Sequence, residues 1–155
     1  MGNRDGTPGK GNTGKNGQEV MNRPAWLARL LSIAGVLETV VALGLIVDPP
    51  GVASILLQST LDAPGEVIGR IAGGGLLALG IACWCARKTP LAPASLGVAW
   101  GLLAYNIVAC VTLGWAVTAM AIGGLPALSV SVLHGLFAVV LLVPLLRRDH
   151  TRRAV

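Results

Sequence analysis

Charge is scarce in this sequence. Lys, Arg, Asp and Glu supply 12% of its 155 residues, about half the share of an ordinary soluble domain. So few charged side chains cannot cover a water-facing surface, which excludes a typical soluble fold. Acids are scarcer than bases, 7 against 12, for a net charge of +5. That surplus is not a nucleic-acid footprint. The bases cluster outside the apolar runs, and no aromatic residues interleave with them on one face. Nucleic acid is not an expected partner.

Cysteine and histidine are also few, three and two residues. Cys83, Cys85 and Cys110 fall inside or at the edges of apolar runs. None lies where an oxidising compartment would pair it. Cys83-Trp84-Cys85 is C-x-C, and no Cys/His set has zinc spacing, so neither a disulfide nor a metal site is expected. No G-x-S-x-G, H-E-x-x-H or paired-acid constellation exists. Gly73-Gly74-Gly75 lies in an apolar run and is no phosphate loop. No catalytic residue can be named, no residue calls for a cofactor, and the chain reads away from an enzyme.

What the sequence has is apolar length. Apolar residues make up 54% of it, and mean hydropathy is +0.71. Four runs stand out, at about 26–47, 67–86, 96–117 and 127–146. Each can span a ~30 Å hydrocarbon core at ~1.5 Å per residue. None alternates like a barrel strand, so all four are expected to be helices. The first run exceeds the usual signal-peptide core. It also exits at Asp48-Pro49-Pro50 without a small-x-small site, so it is read as a span. Residues 1–22 are rich in Gly, Asn, Lys and Thr and read as a disordered tail, with Met21 an alternative start. Residues 149–155 read as a short basic tail, leaving 23–148 as the membrane domain.

Orientation follows from the bases. Arg4, Lys10, Lys15, Arg23 and Arg29 precede or open the first run. Arg87 and Lys88 lie between the second and third, and Arg147, Arg148, Arg152 and Arg153 end the chain. Only Arg70 falls on the other side. The positive-inside rule then places both termini in the cytoplasm. The expected fold is an all-α bundle of four transmembrane helices. Its partners are the lipid bilayer and, beyond it, further copies of the chain or a larger membrane complex. In the first outer loop Val52, Ile55 and Leu56 have helical spacing, which fits a short interfacial helix or a packed lid. Trp26, Trp84 and Trp115 sit near span ends as belt residues do. Trp100 and Tyr105 are more interior and read as packing.

Each span carries one residue that is costly in lipid: Glu38, Arg70, Asn106 and His134. Ionisable groups at such depth cost at least ~2.5–3.5 kcal/mol on insertion scales and usually find protein partners. Gly35, Glu38 and Ala42 share a helical face; Arg70 shares one with Gly73 and Gly74. Ala127, Ser131, His134 and Ala138 share another, and Asn106 lies with Ala99, Leu103 and Cys110. Small residues mark helix contact in membranes. The four polar residues are therefore a candidate intramembrane cluster. Arg70 is expected either to reach inward toward Glu38 or to snorkel outward to lipid headgroups or to Asp62.

The stretch from Arg70, "RIAGGGLLALGIACW", resembles a pattern in small bacterial inner-membrane proteins of the broad DoxX-like kind. Gly35-x-x-Glu38, Tyr105-Asn106 and the late His134 are similar to an uncharacterised group of them. The resemblance covers about 26–146 and implies a four-helix bundle in the bacterial cytoplasmic membrane. Some such proteins are quinone-oxidoreductase subunits or redox-linked accessory proteins. Three functional readings follow: an accessory or scaffold bundle with a structural polar cluster; a proton-linked small-solute carrier or permease subunit using Glu38 and His134; and a membrane redox subunit.

Overall fold

The computed structural model describes the backbone of residues 14–153 and the side chains of residues 25–143, 145 and 146. Among the described residues there are five helices and no strand: α1 (Gly14–Val47), α2 (Pro49–Leu56), α3 (Ala63–Ala86), α4 (Pro93–Ala119) and α5 (Gly124–Arg153). Four helices are long and apolar enough to cross a membrane, over Ala25–Val47, Ala63–Ala86, Pro93–Ala119 and Gly124–Val143.

The helices outrun the apolar stretches because of what flanks them. Once a span has nucleated, each added residue gains a hydrogen bond without a new nucleation cost. Helix α1 accordingly includes residues 14–22 of the stretch expected to be a tail, and α5 runs on through residues 149–153. Residues 1–13 of the expected tail, and 154–155, lie outside the described residues. Helix α3 begins four residues before its apolar run. Asp62 Oδ1 accepts the Gly65 N–H at 2.9 Å, and a proline occupies the first turn. An acidic N-cap and a proline that needs no donor are both favourable there.

Helix α1 packs chiefly on α3, and α4 chiefly on α5. The α1–α3 crossing is made by small residues. A Cβ on Gly35 would meet the Gly80 carbonyl at 3.1 Å, and one on Gly73 would meet the Ala42 carbonyl at 2.9 Å. The two helix pairs share a core containing Leu31, Cys83, Leu102 and Leu141, all fully buried. This core lies toward the end of the bundle that holds the α3–α4 turn.

Helix α2 closes the opposite end. Asp48 caps it through the Gly51 N–H at 3.0 Å. Pro49 and Ala53 are buried, and Pro49 lies against Gly69. The expected stripe of Val52, Ile55 and Leu56 is split. Val52 meets Gly44 and Leu56 is half-buried, but Ile55 is 75% exposed. The small Pro49–Ala53 face fits the bundle, which rotates Ile55 away. Gly123 (φ 86°) brings the α4–α5 connection against the backbone of Leu56 and Leu57. A side chain there would be strained and would also clash.

Large apolar side chains point outward along every span, among them Val40, Ile71, Val111 and Val139. Trp100, read as a packing residue, also faces outward. This inverted distribution suits hydrocarbon rather than water.

Candidate functional site

Midway along the bundle, four polar side chains from three helices form a line. On α1, Gly35 and Ala42 flank Glu38 by about one turn, and all three are buried. The small neighbours let α1 approach closely enough for the Glu38 carboxyl to turn inward; it is 7% exposed. The nearest polar side chain facing its carboxyl is Tyr105 on α4.

From Tyr105 the line passes to α5. The Tyr105 and His134 rings meet edge to face, with centroids 5.6 Å apart and planes at 87°. His134 Nδ1 lies 2.9 Å from Asn106 Oδ1, back on α4. The Asn106 Nδ2 donates to the Leu102 carbonyl at 2.8 Å. That bond fixes the amide, so Oδ1 is the acceptor and His134 Nδ1 must carry the proton. In the neutral ring Nε2 then keeps its lone pair.

One turn along α5, the Ser131 hydroxyl donates to the Cys110 carbonyl at 2.8 Å. Gly135 comes against the Cys110 sulfur, where a Cβ would stand 3.2 Å away. The α4–α5 pair is thus cross-tied at two successive levels. Ala127, Ser131 and Ala138 on the His134 face are all buried.

Glu38, Asn106 and His134 are therefore brought into one line, and Arg70 is not. Arg70 Nη1 donates to Glu66 Oε2 at 3.2 Å, four residues back on the same helix, with the two side chains 47% and 37% exposed. The reason is the early start of α3. It puts Glu66 in the first helical turn, within i,i+4 reach of Arg70. Neither the inward reach to Glu38 nor an interaction with Asp62 is formed.

Tyr105 is the member of the line that its sequence context disguises as packing. A signal is nonetheless there: a phenol hydroxyl inside an apolar span needs a polar partner.

Among the described residues, no group of three or more His, Cys, Asp or Glu side chains is placed to hold a metal ion. Compared with known families, characterised proteins and solved structures, the chain matches none.

Proposed function

We propose that the chain is a small multi-pass protein of the bacterial cytoplasmic membrane, with both termini cytoplasmic, that serves as an accessory or scaffold bundle. In this reading the line from Glu38 through Tyr105 and His134 to Asn106 is a structural lock. It ties α1 to the α4–α5 pair, which the packing otherwise joins less extensively than it joins each pair internally. The DoxX-like resemblance supports the bundle and not an activity.

The observation that carries this reading is that Asn106 is engaged at both ends of its amide. It is only 3% exposed, its oxygen is used by His134, and its amide nitrogen by the Leu102 carbonyl. A group committed at both ends fixes register rather than binding and releasing a solute. The test is Glu38→Gln. The amide preserves the shape and keeps an acceptor for Tyr105, but carries no exchangeable acid proton. Reconstituted protein should be folded, should keep the partner proteins that co-purify with the parent, and should show the same proton flux under an imposed gradient. A folded variant that loses its partners or a measurable flux contradicts the lock.

A second reading has its own observation: carboxyl, phenol and imidazole are consecutive neighbours. That order suits a proton relay, with Glu38 taking up and releasing the proton and His134 Nε2 accepting it. pH-dependent flux abolished by Glu38→Gln selects this reading.

A further inference from the structure

Away from the polar line, at the end of the bundle that holds the α3–α4 turn, lies an open groove of about 330 Å³. It is lined by Ala28, Arg29, Ser32 and Ile33 of α1 and by Arg87 at the end of α3. Its volume is in the range of small-molecule sites. We propose that this groove binds the phosphate of an anionic lipid from the leaflet on the side of the chain termini.

Arg87 is held in place before any ligand arrives. Its guanidinium carbon sits 3.6 Å from the centroid of the Trp84 ring, and its Nε donates to the Trp84 carbonyl at 3.0 Å. The Trp84 ring and the Nε bond together hold the guanidinium against α3. Both Nη groups remain to form a fork for phosphate oxygens. Arg29 supplies a second cation on the facing helix. Neither arginine has a carboxylate partner among the described residues.

The groove is also placed for a headgroup. Arg29 lies four residues inside the α1 span, ~6 Å along the axis, and Arg87 follows the last residue of the α3 span. Long basic side chains at that depth extend to the phosphate level. Ala28 and Ile33 then offer apolar surface to the glycerol and first acyl carbons. A free phosphate would gain the two cations but nothing from that floor.

The proposal rests on the membrane placement of the chain. Retention in carbonate-washed membranes, before they are dissolved in detergent, separates failure of the site from failure of that placement. The test uses the full chain in neutral detergent, titrated with phosphatidylglycerol, phosphatidylcholine or inorganic phosphate, with bound molecules counted by native mass spectrometry. One phosphatidylglycerol should bind saturably. Arg29→Gln and Arg87→Ala should each weaken binding about fivefold. Lys88→Ala should change it by less than about twofold, since exposed Lys88 does not line the groove. Arg87→Lys should fall short of the parent, since lysine loses the fork and the stack. Should Arg87→Ala fail to fold, Arg29→Gln carries the test from an exposed position.

Equal binding of phosphatidylcholine overturns the proposal, as does inorganic phosphate binding as tightly as the lipid. An effect of Lys88→Ala as large as that of Arg29→Gln also overturns it, because diffuse surface charge would then account for the binding.

Discussion

His134 Nδ1 and Asn106 Oδ1 stand 2.9 Å apart across the α4–α5 interface. With the Asn106 amide nitrogen held by the Leu102 carbonyl, neither residue can be replaced by an apolar one without stranding the other. Asn106→Leu leaves the His134 N–H without its acceptor and should destabilise the bundle by about 1–2 kcal/mol. Denaturant unfolding in detergent measures this. A double-mutant cycle with His134→Phe should give a coupling of about 0.6–1.7 kcal/mol; additive losses contradict the contact.

The α1–α3 crossing predicts a contrast among glycines. A Cβ on Gly80 would meet Thr39 Oγ1 at 2.6 Å and the Gly35 carbonyl at 3.1 Å. Gly80→Val should therefore cost about 1–3 kcal/mol, as overpacking does. Gly74, on the same helix, has nothing within 4 Å of such an atom. Gly74→Ala should be neutral or should stabilise the helix by up to ~1 kcal/mol. Thermal unfolding of the two variants side by side checks the direction each way.

Arg70 should matter little to stability. Its pair with Glu66 is an exposed i,i+4 contact, worth about 0.3–0.5 kcal/mol. Arg70→Gln should shift unfolding by no more than that. A loss of several kcal/mol would mean that Arg70 engages Glu38 after all.

The four spans are legible in the sequence as apolar runs, because hydrocarbon thickness sets their length. Glu38, Asn106 and His134 are legible because polar groups in such runs are costly. The small residues beside them identify the faces that pack. The partners are less legible. Depth along the helix groups Arg70 with the other three, but the N-cap at Asp62 extends α3 and supplies a nearer acid, Glu66. Asp62-Ala63-Pro64 is itself a helix-start signal, and it points to that pair. Tyr105 is hidden because an aromatic residue in an apolar helix is ordinarily packing, and only the fold brings its hydroxyl to Glu38. The direction of Ile55 is hidden for the same reason, since it depends on which face of α2 meets Gly44 and Gly69.

The central claim is that Glu38 on α1 and Tyr105 on α4 tie the two helix pairs together. It is tested most directly by a double-mutant cycle on unfolding free energy, using Glu38→Leu, Tyr105→Phe and the double variant in detergent. A tie predicts that the second substitution costs less once the first is made, with a coupling of about 0.5–1.5 kcal/mol. Strictly additive losses would contradict it.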